Sequence, residues 1–123
     1  MSWIAVVDDA PDVRDELAEA IRVAGYEVRT FADGLDALHW IGEAHELPLL
    51  VLLDVGLPYM SGLEVLRRLR ERPRTASLPV VLLTGFDLDE EETSGKEATA
   101  VLRKPVVLDD LLARIGQLVG ALH

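Results

Sequence analysis

The sequence predicts an α/β fold in which a parallel sheet carries helices on both faces, a doubly wound sandwich. Continuous apolar runs at residues 3–7, 49–53 and 78–83 have the composition of strands that are buried on both faces. Segments with apolar residues at helical spacing lie between these runs. Such alternation of strands and helices is typical of parallel β/α units.

The chain divides into five β/α units, with no internal repeat and no linker between them. The predicted strands are, in chain order, residues 3–7, 26–31, 49–54, 78–83 and 100–102. Pro11 suits the first turn of the first helix because a missing N–H needs no partner there, and Gly25 ends that helix. The second strand alternates apolar and polar residues, which indicates a position near the edge of the sheet.

The later helices differ in how well apolar residues anchor them. Ser61 is predicted to cap the third helix, with Glu64 three residues later as in a capping box. Residues 87–98, where a fourth helix is expected, are acidic and contain few apolar residues. The last helix, residues 108–122, is strongly amphipathic. We therefore expect one domain over residues 1–123, with no output domain in this sequence.

Composition and charge narrow the classes of function. Half of the residues are hydrophobic and 28% are charged, as in ordinary globular domains. The formal net charge of −10 argues against direct binding of nucleic acid, which needs clustered positive charge. We expect no membrane insertion, because no apolar run is long enough, and no disulfide, because cysteine is absent. These features favour a cytoplasmic protein that handles a cation or docks on a basic partner.

Polar side chains stand at the carboxyl ends of four predicted strands. Asp8 and Asp9 follow the first strand, and Asp54 ends the third. Thr84 follows the fourth strand and Lys104 the fifth. The carboxyl ends of parallel strands share one edge of the sheet, where ligands bind in open α/β folds. If the first and third strands are neighbours, about 4.8 Å apart, their three carboxylates lie within a few ångströms of one another.

Carboxylates so close together repel one another and need a compensating cation. Mg²⁺ suits them because it prefers carboxylate, carbonyl and water oxygens, whereas softer metals favour cysteine or histidine. Lys104 and Thr84 could then neutralise and hydrogen-bond a phosphoryl group, with Asp54 as a nucleophile that forms an acyl phosphate. Taken singly, each residue could be a helix cap, a turn residue or a surface charge. Their joint occurrence at the strand ends favours a functional site.

In these motifs the chain resembles the receiver domains of two-component response regulators, over essentially its full length. The matching motifs are Asp8-Asp9, Asp54 with Leu57-Pro58, Ser61-Gly62-Leu63-Glu64, Thr84-Gly85 and Lys104-Pro105. The resemblance implies a flavodoxin-like fold with strand order 2-1-3-4-5 and a stand-alone receiver. In similar proteins the bond between Lys104 and Pro105 is often cis.

The resemblance also implies a Mg²⁺ site at the ends of the first and third strands. Asp9 and Asp54 would bind the ion directly, and Asp8 would bind it through water. The backbone carbonyl of Gly56 would be a further ligand.

The resemblance further implies that Asp54 accepts a phosphoryl group from a phosphohistidine on a sensor histidine kinase or a histidine phosphotransfer protein. Thr84 and Lys104 would contact this group, and self-phosphorylation and self-dephosphorylation would be the only reactions, so no turnover enzyme is expected. Loading would alter the face formed by residues 87–98, the fifth strand and the last helix, which a separate downstream protein reads. An aromatic residue of the fifth strand usually takes part, but Val101 holds its position. We therefore expect phosphorylation to order residues 86–98 instead of rotating a side chain.

Two other functions remain open from the sequence. A phosphohydrolase of the haloacid-dehalogenase type needs a second acid two residues after the nucleophile, where this sequence has Gly56. A pseudo-receiver that binds partners without taking phosphate is suggested by Val101. The cost of keeping three crowded acids without a cation counts against this second alternative.

Overall fold

The computed structural model describes residues 2–85 and 98–120, which form a parallel five-stranded sheet between two layers of helices. The strands are β1 (Trp3–Val7), β2 (Glu27–Phe31), β3 (Leu50–Asp54), β4 (Val80–Thr84) and β5 (Ala100–Arg103). The helices are α1 (Pro11–Val23), α2 (Gly34–Glu43), α3 (Gly62–Glu71) and, at the end of the described chain, α4 (Leu108–Gly120). The strand order is β2-β1-β3-β4-β5, so the expected flavodoxin-like topology is confirmed.

The three central strands are buried along their whole length, which explains their continuous apolar sequences. Alternate side chains of each strand face opposite layers, so one sheet supports two cores. One core packs against α2 and α3 and includes Leu53, Leu66 and Leu82. The other packs against α1 and α4 and includes Leu52 and Ile115. Truncating one of these buried leucines to alanine typically costs about 2–5 kcal/mol of stability.

The edges of the sheet follow from the weaker strand patterns. β2 is an edge strand, as its alternating sequence predicts, and only Phe31 of its five residues is fully buried. The fourth strand begins at Val80 and not at Leu78 as predicted, because Pro79 has no N–H to donate to the sheet. The bond between Lys104 and Pro105 is cis, as in similar proteins. The expected fourth helix and the segment expected to become ordered fall on residues 86–98, of which 86–97 lie outside the described residues.

The loop between β3 and α3 contains an unusual backbone conformation. Tyr59 has φ of 66°, in the left-handed region that costs a side chain bearing a Cβ about 1–2 kcal/mol. Its side chain is 98% exposed, so burial offsets almost none of that cost. The conformation therefore comes from the path of the loop and is not stabilised by packing of the ring.

Ser61 caps α3 as predicted, but Glu64 does not act mainly through a capping box. The Ser61 hydroxyl accepts a hydrogen bond of 3.3 Å from the Glu64 N–H. The Glu64 carboxylate accepts hydrogen bonds from Arg67 at 2.9 Å and from Arg68 at 3.2 Å, on the next turn of the helix. These two guanidinium groups lower the pKa of Glu64 to about 2.

We expect Glu64 to remain ionised in acid in which ordinary glutamates are neutral. Because its pKa is lowered in the folded state, its stabilising effect is present above pH 4.5 and is lost as the pH falls toward 2. An NMR titration of the side-chain carboxyl carbon will give the midpoint, and high salt will raise it because the pair is exposed. In Arg67→Ala the midpoint will move back toward the ordinary value. A midpoint near 4.5 in the native chain would contradict the prediction.

Candidate functional site

Three carboxylates meet at the carboxyl edge of the sheet, as predicted. β1 and β3 are neighbours in register, with Val7 beside Leu53, so the residues that follow them come together. Each of Asp8, Asp9 and Asp54 offers a carboxylate oxygen, and these oxygens all lie within 4.8 Å of one another. Asp8 is fully buried and Asp54 is 7% exposed, whereas Asp9 faces solvent. The cluster is therefore open to solvent on one side only.

Lys104 supplies the positive charge that this cluster needs. Its ammonium nitrogen Nζ donates a 2.9 Å hydrogen bond to Asp8 Oδ2 and lies 3.4 Å from Asp54 Oδ1. β4 separates β5 from β3, so the lysine side chain reaches back across the carboxyl end of β4. The backbone of Lys104 is fixed there by a 2.7 Å hydrogen bond from its N–H to the Thr84 carbonyl. Thr84 itself is 3% exposed at the end of β4.

The turn after β1 is held by bonds to Asp8 from several elements. The Asp8 N–H donates to the Phe31 carbonyl at 3.1 Å, and Asp8 Oδ1 accepts from the Ala10 N–H at 2.9 Å. Arg14 on α1 donates from Nη1 to the Asp8 carbonyl at 3.0 Å. Arg14 could not be predicted from the sequence, because nothing in the helix pattern distinguishes it from a surface arginine.

A close backbone approach fixes the loop that follows Asp54. Gly62, the first residue of α3, donates its N–H to the Val55 carbonyl at 2.9 Å. A Cβ at Gly62 would lie 2.2 Å from the Asp54 carbonyl oxygen, which is far inside van der Waals contact. Only glycine therefore allows α3 to start so close to the end of β3. The Gly56 N–H completes the loop with a 3.3 Å hydrogen bond to Asp54 Oδ1.

The electrostatics of Asp54 and Lys104 are set by burial and by each other. Burial raises the pKa of Asp54, and the charge of Asp8 raises it further, while Lys104 and the Gly56 N–H act in the opposite direction. Burial by itself would lower the pKa of Lys104, but the hydrogen bond to Asp8 and the two carboxylate charges outweigh burial and raise it. Lys104 therefore stays cationic at neutral pH.

We expect Asp54→Asn to stabilise the metal-free protein at neutral pH. A carboxyl whose pKa is raised on folding favours the folded state only below its ordinary pKa near 3.8, and that contribution is lost as the pH rises through the raised value. Asparagine carries no charge, so the substitution removes the free-energy cost of burying an ionised carboxylate at pH 7. At pH 3 it has little effect. Urea unfolding in EDTA at pH 7 and at pH 3 measures this change in stability, and Asp12→Asn, at an exposed position, is the matched control. A loss of stability at pH 7 would contradict the prediction.

The donor set fits a hard divalent cation. Carboxylate oxygens from the ends of β1 and β3 lie close together, and the Gly56 backbone lies beside them in the Asp54 loop. Oxygen donors of this kind suit the octahedral shell of Mg²⁺. Among residues 2–85 and 98–120 this is the one group of three or more acidic or histidine side chains close enough to hold an ion. Within the same residues, no helix is both long and apolar enough to cross a membrane.

The fold and the cluster together define a class of protein: a doubly wound α/β domain with an acidic, lysine-bridged site at the carboxyl edge of its sheet. The family model "Response regulator receiver domain" matches residues 4–116. The chain belongs to this family, and the predicted resemblance is confirmed. Receiver domains are generally signalling domains and not turnover enzymes.

The relatives of the chain agree with this membership. The response regulator MprA from Mycobacterium sp. (strain KMS) is 41% identical over 114 residues, which cover 91% of this chain and 48% of that protein. The chain thus spans about half the length of the curated relatives it matches. The chemotaxis protein CheY4 of Vibrio cholerae superposes with a TM-score of 0.87 at 30% identity, covering 96% of this chain and 98% of that one. The response regulator protein TrrA from Thermotoga maritima, in complex with Mg²⁺-BeF, gives 0.84 at 31% identity, covering 96% and 99%.

Proposed function

We propose that this receiver domain takes a phosphoryl group on Asp54, with Mg²⁺ as cofactor, from a phosphohistidine of a sensor histidine kinase or a histidine phosphotransfer protein. The observation that carries the proposal is the position of the Asp54 carboxylate. It is largely buried, shares a cluster with two other acids, and lies 3.4 Å from the Lys104 ammonium. The complex of TrrA with Mg²⁺-BeF supports the same chemistry in a protein that is 31% identical.

The metal would be held by the residues at the ends of β1 and β3. Asp9 and Asp54 would bind it directly, Asp8 through water, and Gly56 through its backbone carbonyl. When bound, Mg²⁺ neutralises the carboxylates and the incoming phosphoryl oxygens. The hydrogen bonds of Asp8 with Lys104 and the Ala10 N–H hold its carboxylate in a fixed orientation.

During phosphoryl transfer, the protein has only to position the reacting groups and to neutralise the charge of the phosphoryl oxygens. A carboxylate oxygen of Asp54 attacks the phosphorus, and the P–N bond to the donor imidazole breaks with its electron pair remaining on nitrogen. Lys104 and Thr84 bind the phosphoryl oxygens during this step. Hydrolysis returns the domain to its unphosphorylated form. Water attacks phosphorus, the bond to Asp54 breaks, and inorganic phosphate leaves. The domain therefore turns over only its own phosphoryl group.

Phosphorylation would signal by changing a surface that another protein binds. Loading would change the face of β5, α4 and the acidic segment before β5, and a separate downstream protein would read that face. Val101, which stands where receivers usually have an aromatic residue, is 42% exposed on β5. We place the domain in the cytoplasm, where its phosphodonor would be. The absence of direct nucleic-acid binding is proposed for these 123 residues alone, since the curated relatives are about twice as long.

Intact mass after incubation with acetyl phosphate tests the proposal. We expect one phosphoryl adduct on the native chain that requires Mg²⁺ and is lost in EDTA. Asp54→Asn will give no adduct, whereas Asp12→Asn, which removes an exposed carboxylate from the first turn of α1, will be loaded like the native chain. No adduct on the native chain would overturn the proposal and favour a pseudo-receiver that binds partners unmodified. An adduct that persists in Asp54→Asn would place the acceptor elsewhere.

A further inference from the structure

Tyr59 is exposed to solvent at a position where a tyrosine brings no benefit to the isolated fold. Its φ of 66° is the conformation that glycine and asparagine adopt most readily. With 98% of its side chain exposed, the ring covers almost none of the molecule. The turn would therefore form more easily with a smaller residue. The ring is therefore free to contact another molecule.

The surroundings of Tyr59 form a groove with a mixed apolar and acidic surface. The groove has a volume of about 420 Å³. It is lined by Asp33, Leu35, Asp36, Pro58, Tyr59 and Met60. Leu35 is also exposed, at 57%, on the first turn of α2. Two large apolar side chains thus face solvent at one small surface, which is a common feature of protein-binding sites.

The charge of the groove indicates what it can bind. Asp33 and Asp36 are its only charged lining residues, so it carries negative charge and no positive charge. One oxygen of Asp33 accepts the Asp36 N–H at 2.8 Å, and the rest of both carboxylates remains available. The whole chain has a net charge of −10, which repels an acidic partner and attracts a basic one.

The groove lies at the carboxyl edge of the sheet, where the acidic cluster also lies. Asp33 follows the carboxyl end of β2, and Tyr59 follows that of β3, five residues after Asp54. A protein bound here would sit beside the functional site without occupying it.

We infer that the surface formed by Leu35, Tyr59, Asp33 and Asp36 docks a protein segment that presents an apolar side chain next to lysine or arginine. The tyrosine and leucine contact the apolar side chain, and the two carboxylates pair with the basic groups. Because Tyr59 lies in the loop that starts at Asp54, the docked segment also contacts the part of the chain that carries the site. This surface does not depend on phosphorylation of Asp54.

The test uses a helical peptide of leucine and lysine as the probe, with a peptide of leucine and glutamate as its matched control. Amide NMR shifts of the full chain will map the lysine peptide to residues 33–36 and 58–60, and the glutamate peptide will not bind. Tyr59→Asn will weaken binding at least tenfold. Val23→Ser, which removes an exposed apolar side chain from the end of α1, will leave binding unchanged.

Two further measurements separate docking from folding. Tyr59→Asn relieves the backbone strain, so its melting temperature will rise by about 4 °C, and its loading by acetyl phosphate will match the native chain. The helix α1 also exposes acidic side chains, at Asp12, Asp15, Glu16 and Glu19. NMR shifts centred on those residues, equal binding by Tyr59→Asn, equal binding of both peptides or no binding of the lysine peptide would each overturn the inference. Loss of loading in the native chain would bear on the proposed function and not on this surface.

Discussion

Lys104→Met will destabilise the metal-free protein by about 2–3 kcal/mol at neutral pH, since removing one partner of a buried ion pair leaves an uncompensated charge. Here it leaves two: Asp8 is fully buried and Asp54 nearly so. The lysine is 25% exposed, which keeps the expected loss below that of a fully buried pair. Methionine retains most of the side-chain volume, so the effect reports charge and hydrogen bonding more than packing.

Urea unfolding in EDTA measures this loss of stability. Adding Mg²⁺ should restore part of it, because the ion also neutralises the carboxylates. The pH dependence gives a second test. Because the pKa of Lys104 is raised on folding, its contribution is complete below about 10.5 and is lost as the pH rises through the higher folded value. Arg22→Met, which removes an exposed cation from the last turn of α1, should change stability by less than about 0.5 kcal/mol. Equal effects of the two substitutions would refute the role given to Lys104.

Gly62→Ala will be as damaging, for a steric reason. The added Cβ would lie 2.2 Å from the Asp54 carbonyl oxygen and 2.9 Å from Val55 Cα, and both atoms belong to the backbone. No side chain can rotate to make room, so α3 or the end of β3 must move. We expect a loss of about 3 kcal/mol, at the upper end for overpacked sites. Since the displaced backbone is that of Asp54, Mg²⁺ affinity should fall at least tenfold in the fraction that folds.

Gly116→Ala is the matched control for this substitution. Gly116 lies within α4, and a Cβ there would meet nothing within 4 Å. The same chemical change should therefore stabilise the protein by about 0.5–1 kcal/mol, because alanine favours the helix. Melting curves compare the stability of the two variants, and Mg²⁺ titrations followed by NMR shifts of the Asp54 loop compare their affinity for the ion. A Gly62→Ala protein with native stability and native Mg²⁺ affinity would show that the backbone approach has no role in the site.

The sequence predicted the sheet well because burial on both faces leaves a direct trace in composition. β1, β3 and β4 carry unbroken apolar runs, and an acid or a threonine at or just after each run marks the carboxyl edge. A parallel sheet brings these ends to one edge, so the cluster of Asp8, Asp9 and Asp54 could be placed before any coordinates were known. The bounds of strands were less exact, since a hydrogen-bond ladder and not hydropathy decides where Val80 begins β4.

Other features of the site depend on how distant parts of the chain approach one another. The span of Lys104 across β4, the bond from Arg14 to the Asp8 carbonyl and the contact of Gly62 with Asp54 all need the tertiary arrangement. Lys104 and Gly62 were singled out by their position and motif, but their contacts were not, and Arg14 was not singled out because any helix can contain an arginine. The left-handed conformation of Tyr59 was equally hidden, since tyrosine is among the residues least expected there.

The hydrogen bond from Lys104 to Asp8 joins residues that are 96 positions apart in the chain. During synthesis, Asp8 and Asp9, which follow β1, leave the ribosome long before the lysine that completes their site. A nascent chain that lacks β5 has the acceptor aspartate but not the cation that holds the carboxylates together, so it should be a poor substrate for acetyl phosphate. Phosphorylation would then be restricted to chains in which β5 is already in place. Stalled chains that carry a C-terminal linker, long enough to expose residues 1–99 in one case and 1–123 in the other, would reveal that restriction as a difference in labelling by acetyl phosphate with Mg²⁺.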